Sequence, residues 1–256
     1  MDQGRLEIAF RVRRPGKVHC RRTSGGVPID LIERFPAGNA VDRPWSWTYH
    51  PGEPIRLMLW YRRGLFRRSY EASFPTTDRA DVVILMDTTG SMSPYIDELK
   101  QKCVTFSERL TRRALKHRFA LVGFGDANEG PWIDRHGFTD DVGQFVETVD
   151  AVKRFDGGDL PESALDAIEE ALRLPYEEGS LRRFYLVSDA RFHEPTRSGL
   201  SAKAIARRLA EKHVMLRVFS KRDFEADYAP LLGETGKFHE IEHFGRVLAE
   251  GRLLGS

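Results

Sequence analysis

Val82-Val83-Ile84-Leu85-Met86 is an unbroken apolar run, and Asp87-Thr88-Thr89-Gly90-Ser91-Met92 follows it directly. A continuous apolar run predicts a strand covered on both faces, as in a parallel sheet. Beyond the polar turn, Ile96, Leu99, Cys103, Phe106 and Leu110 recur at helical spacing. Ser93 is placed to cap that helix and Pro94 suits its first position. A buried strand that passes through a short polar turn into an amphipathic helix is half of a βαβ unit.

The same alternation continues toward the C-terminus. Phe119–Phe124 reads as a second apolar strand, and Val142, Phe145, Val146, Val149 and Val152 mark a helix. Ala164, Leu165, Ile168, Ala171 and Leu172 mark another, before a strand at Phe184–Val187. Ala202, Ile205 and Leu209 predict a helix, Val214–Phe219 a strand, and Phe224, Tyr228, Leu231 and Leu232 a further helix. A short strand at Phe238–Ile241 and a helix through Phe244, Val247 and Leu248 close the series. Strands alternating with helices predict an α/β fold whose doubly wound, mostly parallel sheet is flanked by helices.

Toward the N-terminus the grammar changes at Pro75-Thr76-Thr77-Asp78-Arg79. Leu6, Ile8, Phe10 and Val12 alternate with polar or small residues, and Ile55, Leu57, Leu59 and Tyr61 do the same. Arg63-Gly64 offers a turn into a strand around Tyr70, Ala72 and Phe74. Period two without helical spacing predicts a small antiparallel β-sandwich over 1–76, ahead of an α/β domain over 77–256.

Bulk properties narrow the class. The 256 residues are 41% apolar and 30% charged, ordinary for a soluble globular protein. No apolar run reaches the roughly 20 residues of a membrane span, and Met1-Asp2-Gln3-Gly4-Arg5 has no apolar signal core. Cys20 and Cys103 are the only cysteines and read as free thiols of a reducing compartment, so the expected location is the cytoplasm. Residues 1–76 carry 14 Lys and Arg against 7 Asp and Glu, so the rest of this net +2 chain is acidic. That asymmetry fits a solvated surface better than a nucleic-acid binder.

In a doubly wound sheet, ligands bind in the crevice outside the carboxyl ends of the strands. Asp87, Thr89 and Ser91 follow the first apolar run, Asp126 follows the second, and Asp189 follows Ser188 after the third. Asp159 stands in the loop Asp156-Gly157-Gly158-Asp159-Leu160-Pro161-Glu162-Ser163. Clustered carboxylates repel and lose hydration, so such a cluster calls for protons or a cation. Carboxylate, hydroxyl and water oxygens are hard ligands that suit magnesium, manganese or calcium rather than zinc. Gly90 would let the loop fold tightly around the ion. Each residue also has a plainer role. Asp87 could be a turn residue, Thr89 and Ser91 part of a capped turn, Asp159 the cap of a helix beginning near Pro161, and Asp189 a strand-end Asp. Asp126 reads as structural and His193 as a surface loop residue.

Asp87-x-Thr89-x-Ser91 after an apolar strand resembles the DxSxS motif of von Willebrand factor type A (vWA) domains, in the DTTGSM form of intracellular and bacterial members. Leu121-Val122-Gly123-Phe124-Gly125-Asp126, Gly157-Gly158-Asp159-x-Pro161-Glu162 and Leu186-Val187-Ser188-Asp189-Ala190 resemble three further segments of that family, in the family's order. The resemblance spans roughly 80–245. It implies a metal-ion-dependent adhesion site built from Asp87, Thr89, Ser91, Asp159 and Asp189. That site would hold Mg²⁺, or Mn²⁺ or Ca²⁺, and grip a partner protein through the partner's Asp or Glu. It further implies a subunit or adaptor without catalysis, working beside an AAA+ ATPase, kinase or phosphatase in a bacterial stress or conflict system. Two departures stand out: Thr89 where Ser is usual, and Asp159 where many members use Thr.

The competing reading is enzymatic. Asp87-Thr88-Thr89-Gly90-Ser91 also resembles the phosphorylated-Asp loop of haloacid-dehalogenase-type ATPases. Gly125-Asp126-Ala127-Asn128 falls too early for their later acidic motif, and Leu181-Arg182-Arg183 offers arginines where a lysine is expected. No GxxxxGK[ST] loop and no GxSxG elbow is present.

Overall fold

A computed structural model describes residues 79–112, 116–128, 130–155, 161–233 and 236–250 with their side chains, and the backbone of six strands ahead of them. The chain divides into two compact units, one of Met1–Thr77 with Leu254–Ser256 and one of Asp78–Leu253.

In the first unit the strands are β1 (Gly4–Ile8), β2 (Gly16–Ser24), β3 (Val27–Phe35), β4 (Trp45–Tyr49), β5 (Ile55–Arg63) and β6 (Phe66–Phe74). They pair antiparallel as a two-stranded β1-β4 sheet and a four-stranded β3-β2-β5-β6 sheet. Arg63 stands opposite Phe66, the register of a tight hairpin. Strands β2, β3 and β4 occupy the stretch that the alternation left unassigned. The stacking of a sandwich and the side chain of Cys20 lie outside the described residues.

The second unit contains β7 (Arg79–Asp87), α1 (Ser93–Arg112), β8 (Lys116–Phe124), β9 (Ile133–Thr139), α2 (Val142–Ala151), α3 (Ala164–Ala171), β10 (Leu181–Val187), α4 (Ala202–Glu211), β11 (Val214–Ser220), α5 (Glu225–Leu232), β12 (Lys237–Glu240) and α6 (Phe244–Glu250). Its sheet runs β12-β11-β10-β7-β8-β9. All neighbours are parallel except β8 and β9. The chain starts in the middle, builds outward through β8 and β9, and returns to the other side of β7 with β10. The order therefore reverses between β7 and β10, and a crevice opens at the carboxyl ends of those two strands.

Both faces of the sheet are covered, which explains the continuous apolar runs. Val83, Leu85, Ala120, Val122, Phe184, Leu186, Leu216 and Val218 pack with α3, α4 and α5 residues such as Ile168, Ile205 and Leu231. On the opposite face Phe106 of α1 meets Phe119 and Tyr185, with ring centroids 5.7 and 5.9 Å apart. Ile96, Leu99, Cys103, Phe106 and Leu110 form the buried stripe of α1, and Cys103 is a free, buried thiol.

β9 is the strand that the sequence pattern concealed. Ile133 and Phe138 both pack against the core, although five residues apart they would face opposite ways in a regular strand. Between the pairs Leu121↔His136 and Phe119↔Thr139, β9 advances one residue more than β8. That bulge restores a common face and erases the alternation. The entry to α1 also differs from expectation. Gly90–Met92 form a 3-10 turn that runs straight into the helix, and Ser93 Oγ donates back to Gly90 O instead of capping.

Candidate functional site

β7 delivers Asp87 to the crevice fully buried. One carboxylate oxygen, Oδ1, accepts from Thr89 N at 3.0 Å and from Thr89 Oγ1 at 2.7 Å. The other, Oδ2, accepts from Ser188 Oγ at 2.8 Å. Burial raises the Asp87 pKa above the usual carboxylate range, the Thr89 and Ser188 hydrogen bonds pull it back, and the charge of Asp189 raises it further. A fixed, desolvated carboxylate facing a second one is a group that a cation would stabilise.

That second carboxylate comes from the end of β10. Asp189 Oδ1 accepts from Ser91 Oγ at 3.1 Å, and Oδ2 lies 3.0 Å from Lys221 Nζ. Four of the five expected residues thus form two bonded pairs, Asp87 with Thr89 and Ser91 with Asp189, and the charge of Asp189 acts on Asp87. Asp159, the fifth, lies outside the described residues. Its loop is held on both flanks: Phe155 N donates to Thr88 O at 3.4 Å, and Glu162 N donates to Arg191 O at 2.8 Å. The helix after the loop begins at Ala164 with Ser163 in the cap position. The expectation of a helix beginning near Pro161 is thereby corrected, and Asp159 is too far ahead to be its cap.

Close approach at the site depends on Gly125 rather than on Gly90. A Cβ at Gly125 would come within 2.7 Å of Phe155 Cβ, whereas one at Gly90 would meet open space. Asp126, nearly buried, accepts from Asn128 N at 2.8 Å and lies 3.1 Å from His193 Nε2. His193 therefore belongs to a polar pair at the rim of the crevice.

Three contributors escaped the sequence reading. Ser188 supports the rear oxygen of Asp87. Tyr228, fully buried, donates to Ala190 O at 2.8 Å, and its own pKa is driven far up by burial. Lys221 follows β11, so asking which polar residue follows that apolar run, as was done for the earlier strands, would have found it. Lys221 does not revive the phosphotransfer reading, because that pattern requires a lysine ahead of the last acidic motif.

Two carboxylates and two hydroxyls suit a hard dication. Among the described residues no three His, Cys, Asp or Glu side chains converge as a metal-holding group.

The profile of the family described as von Willebrand factor A domain matches residues 81–223. An alpha-protein kinase, vwkA, from Dictyostelium discoideum is 27% identical over 119 residues, which are 44% of this chain and 19% of that protein. The matched stretch is thus about a fifth of the relative's length. Proximal thread matrix protein 1 from the mussel byssus superposes with a TM-score of 0.51 at 14% identity, over 68% of this chain and 45% of that one. A second structure of that protein, described as having a zinc-occupied MIDAS motif, gives 0.50 at 13% identity, over 68% and 44%. An aerotolerance-related membrane protein from Bacteroides fragilis gives 0.50 at 15% identity, over 66% of this chain and 94% of that one. No described helix here is long and apolar enough to cross a membrane. The haloacid-dehalogenase alternative finds no support in these matches. With its profile covering more than half of the sequence, and a six-stranded sheet whose order reverses at the acidic crevice, the chain belongs to the von Willebrand factor A domain family.

Proposed function

We propose that the unit Asp78–Leu253 is a divalent-metal-dependent protein-binding module of the cytoplasm. The observation that carries this reading is that two bonded pairs, Asp87 with Thr89 and Ser91 with Asp189, meet at the strand-order reversal, where the charge of Asp189 acts on Asp87. Asp87 and Asp189 supply negative charge, Thr89 and Ser91 supply neutral oxygens, and Asp159 contributes through water. Mg²⁺, Mn²⁺ or Ca²⁺ held there would offer one coordination position to an Asp or Glu of a partner. A dication with two direct carboxylates is locally neutral, so a partner's carboxylate gains by replacing a water. The partner class is an AAA+ ATPase, kinase or phosphatase for which this chain acts as adaptor, as in bacterial stress or conflict systems. The kinase name of the Dictyostelium relative is in keeping with that pairing.

The test is a pull-down with Mg²⁺ or EDTA, paired with melting curves and zinc in the metal series. Metal at about 100 times its Kd stabilises a folded protein by about 2.7 kcal/mol. Asp87→Ala is expected to abolish both that gain and partner capture. Identical melting in Mg²⁺ and EDTA would refute metal binding. Capture indifferent to EDTA would refute bridging. ATP or phosphoester turnover lost in Asp87→Ala would restore the enzymatic reading.

A further inference from the structure

Lys221 has a fixed root and a free stem. It is the residue immediately after β11, where Ser188 N donates to Phe219 O at 3.1 Å. On its other side Phe224 N donates to Lys221 O at 2.9 Å and closes a short turn. The main chain of Lys221 is therefore tied to the strand end that carries Ser188 and Asp189. Its side chain is 51% exposed, and the ammonium lies 3.0 Å from Asp189 Oδ2. Asp189 Oδ1, the other oxygen of that carboxyl group, accepts from Ser91 Oγ at 3.1 Å. A single carboxyl group thus separates the ammonium from Ser91.

The surroundings are acidic. Burial, and after it the charges of Glu242, Asp189 and Glu98, raise the pKa of Tyr95 in the first turn of α1, so three carboxylates bear on that phenol. The neighbouring arginines are committed, Arg222 to Glu240 and Arg191 to Asp227. Among the described residues the Lys221 ammonium pairs with Asp189 alone, and a half-exposed pair of this kind is weak. Lys221 loses that pair once Asp189 is drawn to a dication. Its root keeps the ammonium near the site, and two cations left close together call for an anion between them. Charge balance points the same way. Asp87 and Asp189 neutralise a dication, a partner's carboxylate adds one negative charge, and Lys221 cancels it.

We propose that Lys221 changes partners: it holds Asp189 in the metal-free protein and receives the binding partner's carboxylate in the metal-loaded one. Lys221 thereby selects an acidic residue over a neutral oxygen donor. This role rests on the metal-bridging reading above and adds to it the residue that chooses the charge of the ligand. Lysine suits the exchange, since a compact charge on a flexible four-carbon stem can follow a ligand while its root stays in place.

The experiment uses the full chain, with acetate as the carboxylate probe and acetamide as its neutral counterpart. Binding of each to the Mn²⁺-loaded protein is read from the broadening of its methyl proton signal. In the Mg²⁺-loaded parent the ¹⁵N signal of the Lys221 ammonium is followed as well. That signal is expected to move when Mg²⁺ is added and to move again with acetate. Acetate is expected to bind more tightly than acetamide. Lys221→Met removes the charge, keeps an apolar stem and is expected to bind acetate about two- to five-fold more weakly, with acetamide unaffected. Lys221→Arg restores the charge and is expected to recover acetate binding. Failure of the parent to take up Mn²⁺ overturns the metal-bridging reading and this role with it. Mn²⁺ uptake with acetate broadened no more than acetamide, with a loss below about two-fold in Lys221→Met, or with a Lys221 signal that Mg²⁺ and acetate leave in place, overturns the role of Lys221 alone.

Discussion

Lys221 Nζ lies 3.0 Å from Asp189 Oδ2, so the outer carboxylate of the acidic pair already holds an ammonium tethered to the next strand. The lysine side chain is half exposed, and such a pair contributes about 0–1 kcal/mol. A dication that takes Asp189 must compete with it. Lys221→Met is therefore expected to tighten Mg²⁺ binding by up to about five-fold. Calorimetric titration checks this, and unchanged or weaker affinity shows that the lysine is no competitor.

In the proposed site Asp159 would be a third acidic residue, where the family motif it resembles often has a neutral Thr. Replacing it removes charge and keeps an oxygen. Asp159→Thr is expected to retain the metal and to hold the captured partner as tightly or more tightly. Metal retained with weaker capture would show that the extra charge assists the partner.

Gly125 lets Phe155 close over the end of β8, with no room for another carbon at the contact. Gly125→Ala is expected to destabilise the fold by about 1–3 kcal/mol, as overpacking does. It should also weaken the metal response, because Phe155 N is bonded to Thr88 O beside Asp87. Denaturant midpoints and the Mg²⁺ titration test the two effects separately. A variant as stable as the parent would mean that Phe155 moves freely.

His239 gives a pH dependence whose sign is fixed. Its pKa falls from 6.5 to about 4 in the fold, through burial first and then through the charge of Arg217. Between those values the unfolded chain binds a proton that the folded chain refuses. Stability is thus fully present above about pH 6.5 and is lost as the pH drops toward 4. His239→Phe is expected to lose less stability than the parent between pH 7 and about 4.5. Parallel stability curves for the two proteins would remove His239 as a source of the acid sensitivity.

Most of the α/β unit was legible because a doubly covered sheet demands runs such as Val82–Met86, and its helices demand stripes such as Ile96, Leu99, Cys103, Phe106 and Leu110. β9 was not legible, since its bulge sets Ile133 and Phe138 on one face at an odd separation. At the site, Asp87, Thr89, Ser91 and Asp189 could be named because each follows an apolar run or sits in its turn. Tyr228 could not, because it contributes from a buried helix face, which no local pattern encodes, whereas Ser188 follows an apolar run and was passed over in favour of its neighbour Asp189. Gly90 misled for a related reason: a glycine in a motif suggests tightness, but beside the site the crowded positions are Gly123 and Gly125.

The acidic group also reads out strand alignment. Met86 pairs with Val187 across β7 and β10, and Asp87 and Ser188 come next on each strand. A slip of one residue between those strands would turn alternate side chains to the opposite face and break the Ser188-to-Asp87 bond. A preparation that responds fully to metal has therefore assembled the centre of its sheet in the correct frame. The titration that measures ligand binding can thus double as a conformational assay for refolded or redesigned batches.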